Sequence, residues 1–309
     1  MKTPIALIVY NRPEQTRKVL ACIQHAKPEK LFVIADGPSS EKEQERCRNT
    51  REIFDNPGWD CEIIRNFSDI NLGCKERVTS GLNWLFDKCK QAIILEDDCV
   101  PDPTFFKYCE ILLKNYRENS RIKMISGQSF LPSDFTYPYS YYFSRLTLIW
   151  GWATWRDRWK EMDLEMKNWP ELRASGWVLG LWGNQKIADE WKSKFDDVYQ
   201  GGLEIWDYQW TYSVWFNDGL TIIPKKNMVS NIGFHQEATH TRNPKSKLAG
   251  LKTHQMRFPL SHPEKIYWQK NFDLGTLRQI KHLSKTRRNP LLRLPALVDK
   301  IRREITPRK

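Results

Sequence analysis

Short, unbroken apolar runs alternate with amphipathic stretches over the first third of the chain. Pro4-Ile-Ala-Leu-Ile-Val-Tyr10 is too short for a helix core and suits a strand buried on both faces. Residues 13 to 25 follow, with Pro13 at the first helical position and Val19, Leu20 and Ile23 at helical spacing. Leu31-Phe-Val-Ile-Ala35 repeats the strand pattern and stops at Asp36-Gly37-Pro38. The charged stretch from Ser40 to Phe54 then reads as a helix. Cys61 to Arg65 predicts a weaker third strand, Glu76 to Lys88 a helix, and Gln91-Ala-Ile-Ile-Leu95 another buried strand. Strands and helices alternating through short turns predict right-handed βαβ units in one sheet with helices on both faces.

The texture changes after about residue 145. Eleven of the fourteen tryptophans fall between Trp150 and Trp215, which sets the second half apart from the first. We divide the chain into an α/β half (1–125), a second half that shares its sheet (126–245) and a C-terminal extension (246–309).

The 309 residues carry 40% apolar and 28% charged side chains, the composition of a globular protein with a sizeable core. No stretch reaches the roughly 18 to 20 apolar residues of a membrane span. The first apolar run is too short for a signal-peptide core, so the mature chain is expected to begin at Met1. Seven cysteines, an odd number without CxxC pairs, suit reduced thiols in a cytoplasmic protein.

The net charge of +12 is unevenly placed. Residues 276 to 309 hold eleven Lys or Arg against Asp299 and Glu304, and so contribute +9 of the total. A nearly neutral body with a basic tail does not suit a nucleic-acid reader, and no nucleic-acid partner is expected. The tail mixes Leu291, Leu292, Leu294 and Ile301 with its basic residues. That pattern suits an anionic membrane surface, on the inner face of a membrane, as well as a solvated terminus; Pro295 interrupts any single helix.

The strongest local signal is Ala92-Ile-Ile-Leu95 followed by Glu96-Asp97-Asp98. Three adjacent carboxylates repel one another and are costly inside a strand or helix. At the C-terminal end of a parallel strand they would face the crevice where open α/β sheets bind ligands. A divalent cation, Mg²⁺ or Mn²⁺, would offset the repulsion and hold a diphosphate. The same triplet also suits a solvated turn before a helix starting near Pro103. Asp36 ends its strand in a similar way, either to accept hydrogen bonds from a base or ribose or as an Asp-Gly turn residue. Neither a GxGxxG fingerprint nor a P-loop is present, which leaves metal and basic side chains to hold phosphate.

Glu96-Asp-Asp-Cys-Val-Pro-Asp-Pro-Thr-Phe-Phe106 resembles the metal-binding DxD-type segment of GT-A glycosyltransferases, and most of all the EDD version of the N-acetylglucosaminyltransferase I family. Other segments fall in the same order: Pro4 to Arg12, Ile34 to Gly37, Ile149-Trp-Gly-Trp152, Trp206-Asp207 and Thr239-His240. The pattern, spanning roughly residues 4 to 241, is also similar to bacterial family-2-like sugar transferases. Two positions depart from it: Asn11 stands where an acid is usual, and Tyr208 follows Asp207 in place of a second acid.

The resemblance implies an α/β, GT-A, Rossmann-like mixed sheet flanked by helices, with a donor-binding half followed by an acceptor half. It implies inverting, metal-assisted transfer of a sugar from a nucleotide-diphosphate donor, a UDP-sugar, to the hydroxyl of a glycan, lipid-linked or protein acceptor. Asp98 would hold Mn²⁺ (or Mg²⁺), with His240 as a second metal ligand beside the diphosphate. Asp97 would touch the ribose, Glu96 the donor sugar, Asp36 the uracil edge, and Arg12 would lie along the nucleotide. Asp207 would be the general base.

The residues themselves leave alternatives open. Asp207, set between Trp206 and Trp210, suits a base of raised pKa, a helix cap or a buried ion pair, and Glu204 competes with it. Trp152 and Trp206 are candidates for a sugar or acceptor platform, although tryptophans at this spacing also build cores. Arg145, Arg156 and Lys75 suit phosphate contacts or ordinary salt bridges. A metal-dependent hydrolase or nucleotidyltransferase, or a non-catalytic carbohydrate-binding protein, would use the same acids and aromatics differently.

Overall fold

The computed structural model describes residues 1–132, 135–234 and 246–284. Its first half runs β1 (Ile5–Val9), α1 (Pro13–Ala26), β2 (Lys30–Ala35), α2 (Glu41–Glu52), β3 (Glu62–Phe67), α3 (Gly73–Lys88) and β4 (Gln91–Glu96). These are the elements that the apolar runs predict. One boundary differs for a tertiary reason: α3 starts three residues earlier than Glu76. The Asp36 carboxylate accepts from the backbone N–H groups of Leu72 (2.9 Å) and Gly73 (3.1 Å), so the helix is capped by a residue far away in sequence.

The second half runs β5 (Cys99–Pro101), α4 (Thr104–Asn115), β6 (Ile122–Ser126), β7 (Tyr141–Ser144), β8 (Trp152–Trp155) and α5 (Arg156–Trp159). It continues through α6 (Trp169–Ala174), α7 (Trp177–Trp182), α8 (Gln185–Tyr199), α9 (Asp207–Phe216), β9 (Leu220–Pro224), β10 (Val229–Asn231) and α10 (Lys270–Ser284).

Eight strands form one sheet in the order β3-β2-β1-β4-β8-β6-β9-β7, and β5 pairs with β10 in a separate antiparallel ribbon. Only β8 and β7 run against the rest of the large sheet. The helix-flanked mixed α/β sheet expected of a GT-A architecture is therefore present. The division at residue 125 falls inside β6, which pairs with β8 and β9, so both halves share one sheet.

Strand alternation divides the core between two faces. Ile5, Leu7 and Val9 pack with Val19 of α1 and with Phe105, Phe106 and Leu112 of α4. Ala6 and Ile8 face the other way, against Val78 and Leu82 of α3 and the aromatic second half. Burial on both faces is why β1 reads as an unbroken apolar run. All seven cysteines are free thiols. No described helix is long and apolar enough to cross a membrane.

The segment from residue 246 is not simply an appendage. Asp273 of α10 is fully buried, where it accepts from Ser144 Oγ (2.6 Å), Arg145 N (2.9 Å) and Trp268 Nε1 (2.7 Å). Burial pushes its carboxyl up to about 6, from 3.8, against the pull of these donors. The folded protein thus keeps a proton that the unfolded chain releases at lower pH, and this group's contribution to stability falls as pH rises between those two values. Asp273→Ala orphans three donors and should cost about 1 to 3 kcal/mol. Urea unfolding should show the larger loss at pH 4 and the smaller at pH 7.

Candidate functional site

The chain leaves β1 for β2 and β3 on one side, then returns to place β4 on the other. The crevice between the C-terminal ends of β1 and β4 is therefore the switch point of the sheet, where no crossover helix covers the strand ends. A cleft of about 660 Å³ opens there, reaching Tyr10 and Arg12 after β1, Asp36 after β2, and Glu96 and Asp97 at the end of β4.

The acid triplet meets Arg12 in this crevice. One guanidinium nitrogen, Nη1, lies 3.2 Å from Asp97 Oδ1 and 2.9 Å from Asp98 Oδ2. Tyr10 N donates to Asp97 Oδ2 (3.2 Å), and Asn231 Nδ2 donates to Asp98 Oδ1 (3.2 Å). The β5–β10 ribbon brings Asn231 into place by pairing it with Cys99, and Ile232 N donates to the Asp98 carbonyl (2.8 Å). Gly233 follows because nothing larger fits: a Cβ there would lie 1.9 Å from Asp98 Oδ2.

Burial drives the Glu96 and Asp97 carboxyls upward. Neighbouring carboxylates add to this, and the Arg12 guanidinium opposes it without cancelling it. Burial favours a neutral Arg12, yet the acids beside it hold its pKa above the usual value. When all three acids are ionised, they and Arg12 together carry two net negative charges, a balance that a divalent cation on oxygen ligands would neutralise. Among the described residues Asp98 Oδ2 accepts one hydrogen bond, from Arg12 Nη1, and as a carboxylate oxygen it has capacity for a further ligand. Among the described residues no three His, Cys, Asp or Glu side chains converge as a complete ligand set. His240 lies outside the described residues, as do residues 285 to 309 of the basic tail.

Asp36 lines the cleft, and its carboxylate is already engaged. Besides Leu72 and Gly73 it accepts from Gly37 N (2.9 Å) and Asn71 Nδ2 (3.2 Å). Burial raises its pKa against these donors. Its first role is to cap α3 and shape the cleft wall.

Several cleft residues carried no signal in the linear sequence. Glu43, in the first turn of α2, accepts from the Tyr10 hydroxyl and Asn11 Nδ2, and so fastens the loop after β1. Burial pushes Glu43 up, and the donors from Ser39, Tyr10 and Asn11 outweigh it and bring its pKa down. Lys42, Arg46 and Arg77 add positive charge to the wall. Only the spatial meeting of α2 and α3 with the end of β1 reveals them.

Asp207 is the first residue of α9 and is partly exposed, near enough for its charge to act on both Glu96 and Cys74 of the cleft. Glu204 is exposed on the preceding loop.

The tryptophan platform requires correction. Trp152 is 1% and Trp206 3% exposed, and they stack on each other at 5.8 Å within a closed group with Trp159 and Trp210. They support the site from behind and offer no face to a sugar. Arg145 donates to the Leu181 carbonyl, and Arg156 to the carbonyls of Cys89 and Asp87, so both are structural. Lys75 sits partly exposed in the first turn of α3.

No protein-family model matches the chain, and no curated protein matches it. Among solved structures, the galactosyltransferase LgtC in complex with donor and acceptor sugar analogues aligns over 93% of this chain and 98% of its own, at 11% identity and TM-score 0.37. A UDP-glucose pyrophosphorylase complexed with UDP-glucose aligns over 52% of this chain and 79% of its own, at 9% identity and TM-score 0.32. A 4-diphosphocytidyl-2C-methyl-D-erythritol synthase from Anaerococcus prevotii aligns over 50% and 72%, at 10% identity and TM-score 0.28. Likenesses this distant carry no weight, and the chemistry rests on the cleft.

Arg12→Ala removes the cation on which the acids depend. At pH 7.5 it should cost about 3 kcal/mol in urea unfolding. At pH 5.5 the loss should shrink, because protons bound by Glu96 and Asp97 replace the missing charge.

Proposed function

We propose that the protein is a glycosyltransferase of GT-A type that moves a sugar, with inversion, from a nucleotide-diphosphate donor to an acceptor hydroxyl. One observation carries this reading: at the switch point of the sheet, the β4 acids and Arg12 share a cleft that also feels the charge of Asp207 at the start of α9. The donor-binding groups Arg12, Glu96 and Asp97 then line one cavity, and Asp207 stands outside that lining at the start of α9.

On this reading the nucleoside lies along β1 and β2, between Tyr10, Arg12 and the wall that Asp36 shapes, with Lys42 and Arg46 adding positive charge. Asp97 meets the ribose and Glu96 the sugar hydroxyls. A divalent cation, Mn²⁺ or Mg²⁺, at Asp98 would neutralise the departing diphosphate, with His240 as a further ligand. Arg12, beside Asp97 and Asp98, places a fixed positive charge at the same end of the cleft. Asp207 takes the proton from the acceptor hydroxyl as its oxygen bonds to the sugar's anomeric carbon. The bond from that carbon to the diphosphate oxygen breaks, and the nucleoside diphosphate leaves with the electron pair. The order of motifs favours UDP and a relation to the N-acetylglucosaminyltransferase I family.

Calorimetric titration of UDP with and without Mn²⁺ tests the donor site. Mn²⁺ should tighten UDP binding at least tenfold, and Asp98→Ala should abolish that gain. Asp207→Asn should leave the UDP affinity within about threefold while slowing UDP release from a turned-over UDP-sugar about 10²- to 10⁴-fold. Failure of UDP, GDP, dTDP and CMP alike to bind would overturn the transferase reading.

A further inference from the structure

A second groove, of about 640 Å³, runs between α8 and α10. Leu148, Ile187, Trp191, Leu274, Leu277 and Ile280 make its lining apolar, and all but Trp191 are only partly buried. Its polar margin holds four cations, Lys186, Lys194, Arg278 and Lys281, against one carboxylate, Glu190. Among the described residues Glu190 pairs with Lys194 (3.5 Å) and Lys281 (3.8 Å), and one carboxylate against four cations leaves the margin net positive. Apolar surface open to water and bordered by cations matches a ligand with an apolar chain and an anionic head.

Two features narrow the occupant. Ser284 lies on the groove wall, and the chain continues from it with Lys285, Arg287 and Arg288. That like charge disfavours the chain's own continuation as the occupant and suits an anionic lipid surface. Thr147, also on the wall, hydrogen-bonds to Thr211, whose hydroxyl donates to the Asp207 carbonyl (2.9 Å). The groove thus lies within a helical turn of the backbone that carries Asp207.

We propose that this groove holds the apolar chain of an anionic amphiphile with its phosphate on the lysine and arginine margin. Resting on the transferase reading above, that amphiphile carries the acceptor hydroxyl.

The test titrates the full chain with dodecyl phosphate below its micelle concentration, beside inorganic phosphate and the neutral dodecyl maltoside. Dodecyl phosphate should bind at least tenfold more tightly than either comparator. Leu277→Gln and Lys281→Glu should each weaken it at least fivefold, with UDP affinity unchanged as the control for folding. Equal binding of the neutral amphiphile would overturn the proposal. So would binding indifferent to both substitutions, which would assign lipid uptake to residues beyond Ser284. Loss of the transferase reading registers separately, as absence of UDP binding in the unsubstituted chain.

Discussion

Three adjacent carboxylates at the end of a buried strand need a counter-charge, and the architecture around the cleft is organised to provide one. Arg12 sits in the loop after β1, and it reaches Asp97 and Asp98 because β1 and β4 are hydrogen-bonded neighbours in the sheet. Arg12 is in turn held by its loop: Tyr10 and Asn11 just before it are fastened by Glu43 of α2. The β5–β10 ribbon completes the enclosure by bringing Asn231 and Gly233 against Asp98. With all three acids ionised, Arg12 matches only one of their charges.

The two halves of the chain serve this cluster in different ways. The first supplies parallel strands whose ends converge on one point. The second is largely a support, in which aromatic rings from β8, α5 and α9 pack edge-on or stacked behind the sheet. Rings of this size bury much apolar area and move little, so they hold the start of α9 in place. Asp207 is the polar end of that rigid element, which explains why a carboxylate follows directly on a buried tryptophan.

Asp36 has two consequences from one position. By capping α3 it determines where that helix starts, and with it the position of Cys74 and Arg77 on the cleft wall. A group that resembles a ligand contact in the sequence is in this fold also a structural acceptor, with four donors around its two oxygens.

The alternation of strands and helices, the burial of β1, β2 and β4 on both faces, and the gathering of acids at a strand end were all legible in the amino-acid sequence. Each is a local pattern: apolar run length, helical spacing, or repulsion between adjacent charges. The tryptophans between 150 and 215 were legible as a distinct half, but their role was not, because exposure depends on what packs against each ring. Glu43, Lys42, Arg46 and Arg77 gave no signal, since each matters only through an element distant in sequence. The amphiphilic groove is of the same kind, made by α8 and α10 lying side by side. Neighbours along the chain are enough to specify which elements form and where charge accumulates. Which charges are matched, which rings are hidden and which surfaces open into clefts depends on contacts between elements that the chain order does not specify.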